Sequence, residues 1–294
     1  MTTANNHPSP ALDGPYMAVL EKLRRPSRPV VYHYTSPRGL LGIVQTGKIW
    51  ATDIRYLNDS REFDLAHSFV EKHLTLWRDA NPSEAERQVY NSCLKALSIT
   101  AHGYQFFAAA FSEAEDQLSQ WRAYAPSSGG YAVGFSSTHL QEAEGLFIPC
   151  VYDETEQMAL LQLLVNSVLS EARQQKTKPD PTELWDLHGS QFLNGVLLLA
   201  ASFKHHSFKE EQEWRLIQWR QLVGVSPPLF RDGRTGIIPY VELTPGANNL
   251  QIADVIVGPG PHAELAKQAA VGLLRSKGLT GFDVRISSTP YRPW

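Results

Sequence analysis

Hydrophobic positions along this chain fall into two periods. Residues 30–35, Val30-Val31-Tyr32-His33-Tyr34-Thr35, alternate at period two, which predicts a strand with Val31, His33 and Thr35 on one face and Val30, Tyr32 and Tyr34 on the other. Ser36-Pro37 then opens a helix, with Ser as N-cap and Pro at the first helical position. Leu40, Leu41, Ile43 and Val44 form its inner face, and Gly47 ends it. A second strand is expected over 49–52, followed by a turn and N-cap at Leu57-Asn58-Asp59-Ser60. Helical spacing returns over 61–77 and 82–99. The aromatic and alanine-rich stretch 106–111 predicts a strand, 117–124 a short helix, and 131–136 another strand. In that last strand Ala132 and Gly134 share a face so small that another group should approach the backbone closely.

The second half alternates the same way. A strand is expected over 147–152, then a pair of long helices over 154–174 and 182–204, separated by the breaker Lys176-Thr177-Lys178-Pro179-Asp180-Pro181. Strands follow over 213–219, 237–243 and 254–257. Gly260-Pro261 opens a helix, Gly278 closes it, and 284–286 returns as a strand, parallel to its predecessor by a right-handed crossover. The class is α+β with a mixed sheet. Residues 1–29 read as a flexible N-terminal tail, within which 16–23 add one or two helical turns before the breaker at 24–29, with the ordered core from Val30. Residues 30–294 read as one α+β domain with a helical insertion at about 154–204.

Composition narrows the function. Lys and Arg total 27 against 30 Asp and Glu, a net charge of −3, so nothing marks the whole protein as built to hold nucleic acid by its phosphates. Cys93 and Cys150 lie far apart with no CxxC spacing; two buried thiols in a reducing cytoplasm are expected over a disulfide, and no metal site. The N-terminus lacks the basic and apolar regions of a secretory signal. The longest apolar run, 196–203, is far too short for a bilayer span. A soluble, cytoplasmic protein without membrane contact is expected.

Four places carry candidate chemistry. His33, at a strand end between Tyr32 and Tyr34, suits a hydrogen bond to a ribose hydroxyl or acid–base work near neutral pH; the plainer alternative is a satisfied, half-buried histidine. If a strand begins by Glu211, then Glu211, Glu213 and Arg215 share one face, with Trp214 and Leu216 opposite. Two carboxylates so placed need compensation, and Arg215 is positioned to supply it; the alternatives are a carboxylate at a cleft mouth and a salt-bridged edge strand. Ser119-Gln120-Trp121-Arg122-Ala123-Tyr124 offers a guanidinium for phosphate or carboxylate and rings for stacking, or else a core anchor with Arg122 paired to Glu115 or Asp116. Tyr131, after Gly129-Gly130, is either a stacking residue or a core aromatic. No GxSxG, HExxH or kinase signature is present.

The chain resembles a bacterial family described as domain of unknown function 2971. The resemblance lies in Tyr32-His33-Tyr34-Thr35-Ser36, Trp50-Ala51-Thr52 through 57–62, Ala110-Phe111-Ser112-Glu113, the stretches 118–124, 130–135 and 203–216, and Val257-Gly258-Pro259 with 287–292. That family implies no activity. A more distant resemblance is to ADP-ribosyltransferases of the His-Tyr-Glu kind, carried by His33-Tyr34-Thr35 with Gly39 to Gly47, by Gly130-Tyr131 through Ser136-Ser137, and by Glu211-Gln212-Glu213. Tyr34 stands where a small residue often sits, the flanks of Tyr131 depart from the usual pattern, and the helical pair is large. The likeness implies a mixed, mostly antiparallel split sheet with flanking helices. It also implies NAD as substrate, with His33 on the nicotinamide ribose, Tyr131 stacked on nicotinamide, and Glu213 beside the ribose hydroxyl and the developing positive charge. Glu213 and His33 are then the catalytic candidates; Tyr34, Thr35, Ser36, Trp121, Arg122 and Tyr131 would bind the dinucleotide. The expected function is an NAD-dependent ADP-ribosyltransferase-like or NAD-glycohydrolase-like protein, of the sort used as a bacterial defence or toxin effector, with a protein or nucleic-acid acceptor unspecified. The alternative is a non-catalytic nucleotide- or partner-binding module.

Overall fold

The structure is a computed structural model and describes residues 14–57, 62–80, 82–124, 129–174, 190–221, 227–233, 236–247 and 250–290. The strands are β1 (Val30–Thr35), β2 (Ile49–Asp53), β3 (Tyr104–Ser112), β4 (Tyr131–Ser136), β5 (Leu146–Pro149), β6 (Glu213–Gln221), β7 (Leu229–Asp232), β8 (Ile237–Leu243), β9 (Asp254–Val257) and β10 (Asp283–Ile286). The helices are α1 (Pro15–Leu23), α2 (Pro37–Thr46), α3 (Glu62–Asp79), α4 (Glu84–Gly103), α5 (Leu118–Tyr124), α6 (Ser137–Gln141), α7 (Glu154–Gln174), α8 (Ser190–Ser202) and α9 (Ala263–Ser276).

The strands make one mixed sheet in which β9 and β10 are parallel and the other pairs antiparallel. Its hub is β3. One edge of β3 pairs along its whole length with β6, and β6 pairs in turn with β5. The other edge is shared. β1 meets it at Tyr32–Ser112, and β2 meets it at Thr52–Ala108 and Asp53–Phe107. Residues 109–111 pair with neither, so the sheet forks there. One arm continues from β1 through β4, β9 and β10, and the other from β2 through β8 and β7. Both β1 and β2 oppose β3, so they run parallel to each other, and α2 supplies the crossover that parallel strands need.

Local signals in this crossover act as expected. Ser36 Oγ accepts from the Gly39 amide at 3.2 Å, Pro37 occupies the first turn, and Gly47 closes the helix at φ 68°. Gly134 is small for the predicted reason: a Cβ there would lie 1.9 Å from Asp254 Oδ1. Helices cover both faces of the sheet. α1, α3, α4, α7 and α8 bury a core against Ala108, Ile148 and Ile217. On the opposite face, Leu40 and Ile43 of α2 and Ala270 and Leu274 of α9 pack on Val31, Phe111, Val133 and Leu216.

The structure departs from expectation at the N-terminus and at β7. The helical turns expected at 16–23 form α1, and the ordered core begins there and not at Val30, because Tyr16, Val19, Leu20 and Leu23 are buried in it. The pair α7 and α8 packs into that same core. Strand β7 has no counterpart in the sequence reading; four residues with burial confined to Arg231 show no period. Cys93 and Cys150 are buried free thiols, and burial pushes the Cys93 thiol up. Among the described residues no helix is long and apolar enough to cross a membrane. The turn at 58–60, the loop at 126–128 and the helix break at 176–181 lie outside the described residues.

Candidate functional site

The fork in the sheet opens a cleft of about 920 Å³. Its floor is β3 at and beside the fork, where Ala108, Ala109 and Ala110 are too small to fill the gap. His33, Tyr34 and Thr35 line it from the first arm, Trp50, Thr52 and Arg231 from the second, and Arg122 and Tyr124 from α5. Glu213 reaches it from β6.

His33 stands where a neighbouring strand would have continued the ladder. Its Nδ1 lies 2.9 Å from the Ala110 carbonyl, an acceptor that neither arm reaches. The carbonyl places the ring proton on Nδ1, leaving Nε2 as an acceptor. Burial holds the imidazole below its ordinary 6.5, against the Ala110 bond and with help from Arg231 across the cleft, so the ring is neutral at pH 7.

Glu213 opens β6 after a 3-10 turn, His206–Glu211, and after Gln212 at φ 45°. Glu211 therefore belongs to the turn and not to the strand. The strand register puts Tyr32, Ser112 and Glu213 in one row, so His33 leaves the sheet by the opposite face. The fork, which interrupts the sheet between β1 and β2, brings both side chains to one cleft all the same. Glu213 Oε1 accepts from Arg215 Nε at 2.6 Å, and Oε2 accepts from Lys204 Nζ and, at 3.3 Å, from Arg215 Nη2. Lys204 Nζ also donates to Glu211 Oε2 at 2.7 Å, and Arg215 Nη1 to the Ala201 carbonyl at 3.0 Å. The Tyr152 hydroxyl accepts from the Glu213 amide at 2.8 Å. Burial alone would raise the Glu213 carboxyl, but Arg215 and Lys204 outweigh it and hold the group at about 2. It is 6% exposed and ionised at neutral pH. The expected compensation by Arg215 is present, on a strand paired along both edges.

The other candidates separate into two groups. Tyr34, Thr35, Ser36 and Arg122 line the cleft. The Tyr34 hydroxyl donates to the Ala114 carbonyl at 2.7 Å and accepts from the Gln117 amide at 3.0 Å, which fixes its ring against α5. Trp121 and Tyr131 are not among the lining residues. Trp121 is 0% exposed, meets Tyr34 edge-on and donates its indole N–H to Asp116 Oδ1 at 2.7 Å, so it anchors the core. Tyr131 pairs with Thr35 and shares its face, but its ring is buried with Val31, Phe135 and Val257 in the core beneath α2 and α9. Lys48, Trp50, Thr52, Tyr124 and Arg231 are among the further lining residues. Trp50 and Thr52 fall in a stretch that the family resemblance marked, whereas Arg231 had no signal, because its strand is too short to show a period.

Four cations, Arg38, Lys48, Arg122 and Arg231, face the cleft with Glu211, Glu213 and Asp232. Lys204 and Arg215 neutralise the two glutamates from behind, and Arg38 pairs Asp232 at 2.5 Å. The described lining therefore favours an anionic ligand with a flat, stackable part.

Fold and site together define an α+β protein whose mostly antiparallel sheet forks around a cationic, aromatic cleft. Residues 120–216 match the model of a family described as a protein of unknown function (DUF2971), which bears out the family resemblance over that stretch, from within α5 to the first part of β6. His33 and Arg231 lie outside the matched segment and Glu213 inside it. No curated protein and no solved structure matches the chain.

Proposed function

We propose that the cleft binds a nicotinamide dinucleotide and that the protein is an NAD-dependent ADP-ribosyltransferase-like or NAD-glycohydrolase-like enzyme, its forked sheet being the split sheet of that class. One observation carries this reading: His33 and Glu213, some 180 positions apart, line one cleft of about 920 Å³. That volume suits a ligand of dinucleotide size. In the reaction the bond between ribose C1′ and the nicotinamide nitrogen breaks, and nicotinamide leaves with the bonding pair. Water or an acceptor nucleophile then adds at C1′ and gives up a proton. Positive charge develops on the ribose meanwhile, and an ionised carboxylate beside it lowers the barrier. Glu213 is ionised throughout the neutral range. His33, neutral with Nε2 free to accept, suits a ribose hydroxyl. With Tyr131 in the core, stacking falls to Tyr34, Tyr124 or Trp50.

The second reading is a non-catalytic nucleotide- or partner-binding module. It is favoured by the full engagement of both Glu213 oxygens with Lys204 and Arg215. Nicotinamide release from NAD separates the two, measured for the wild type, Glu213→Gln and His33→Ala, each checked by thermal melting. Turnover that drops by about a hundredfold or more in both folded variants supports the enzyme. NAD binding without turnover supports the module, and full turnover in both variants overturns the assignment of the two residues.

A further inference from the structure

The second arm holds a cation that forms no ion pair among the described residues. β7, at the outer end of that arm, carries Arg231, which lines the cleft. Its Nη2 donates to Thr52 Oγ1 at 2.9 Å. Its Nε is closed off from solvent and has no hydrogen-bond partner. The neighbouring carboxylate, Asp232, is turned to Arg38, and Arg231 makes no ion pair with any described residue. Lys204 and Arg215, behind the cleft's two glutamates, each hold a carboxylate.

A half-buried guanidinium with one neutral partner is costly, because desolvation of the charge is not repaid. Nothing in the fold requires an arginine there. Leu229 and Phe230 of the same strand are exposed, and β7 is held through its ladder to β8. A planar fork of five N–H donors fits a pair of oxygens on a phosphate or a carboxylate. Arg38 lines the same cleft, its guanidinium paired to Asp232, the residue next to Arg231.

We propose that Arg231, aimed by Thr52 and supported by Arg38, is the anion subsite of the cleft and takes the phosphate or pyrophosphate of its ligand. In naming a pyrophosphate the inference rests on the dinucleotide reading; the anion site itself stands on the unpaired guanidinium. The ligand would span the fork, with its phosphates on the second arm and its ribose at His33 on the first.

Calorimetric titration of the full chain tests this, with inorganic pyrophosphate, ADP-ribose and adenosine as probes. Both phosphorylated probes should bind, and Arg231→Gln should weaken both by about tenfold or more while leaving adenosine unchanged. Arg231→Lys should keep part of the affinity, and Thr52→Val should lose a smaller factor than Arg231→Gln. Without ligand, Arg231→Gln should melt at or above the wild-type temperature, since an unpaired charge is removed. Equal affinity of the wild type and Arg231→Gln overturns the subsite, as does a wild type that takes up neither phosphorylated probe, or an Arg231→Gln protein that is unfolded. Nicotinamide release is read separately. Its absence with pyrophosphate binding intact defeats the proposed reaction and leaves the subsite. Unaltered binding in Arg231→Gln defeats the subsite even if NAD is turned over.

Discussion

Glu213 and Arg231 line the same cleft from opposite sides, and the fold treats their charges differently. Glu213 is enclosed by Arg215 and Lys204, with Glu211 balancing the second cation, so the group of four is neutral and every carboxylate oxygen of Glu213 is occupied. Arg231 has one hydroxyl and an orphaned Nε. The first arrangement is one that folding completes, because all its partners sit on β6 and on the chain between α8 and β6. The second is left incomplete by folding. A charge satisfied from within contributes to the stability of the empty protein, and a charge left open contributes when something binds.

Breaking the first arrangement should have the largest effect. Lys204→Met leaves Glu213 buried with a partner missing and should destabilise by about 3–5 kcal/mol, read from urea unfolding. A loss under about 1 kcal/mol would mean that the cluster is not held as described. Acid should dismantle the same cluster. Glu213 is held at about 2 against an ordinary 4.5, so its contribution is fully present above pH 4.5 and is lost as pH falls towards 2, about 3 kcal/mol in all. Glu213→Gln should flatten that part of the stability–pH curve, and an unchanged slope would remove Glu213 as its source. The open charge should behave otherwise: Arg231→Gln should shift ligand-free stability by no more than about 1 kcal/mol, and not downwards. The smallest effect is on His33. Arg231 helps to hold its imidazole low, so the ring should titrate at higher pH in Arg231→Gln, visible in its proton NMR shifts. No movement would mean that the two arms do not face each other across the cleft.

Much of the fold was legible from short-range pattern. Period two over 30–35 and the Ser36, Pro37 and Gly47 signals describe β1 and α2 to within a residue, because caps and strand faces depend on neighbours in the chain. The compensation of Glu213 by Arg215 was legible too, since the two are separated by one residue on the same strand face. Lys204 was not, because it comes from the end of a helix that packs on the other layer before the turn at His206–Glu211 brings it back. Trp121 and Tyr131 illustrate the converse. An aromatic residue beside a glycine or an arginine looks the same in sequence whether it stacks on a ligand or fills a core, and here both fill the core.

The sequence by itself determined the elements, their order, and the small residues that keep β3 and β4 slender, since each of these depends on spacing within a few residues. Only the tertiary structure decided that β1 and β2 divide one edge of β3, that the gap becomes a cleft, and that Arg231 enters it with no ion pair among the described residues. Those outcomes depend on hydrogen-bond ladders and charge pairs between residues up to about two hundred positions apart, and no local period records them.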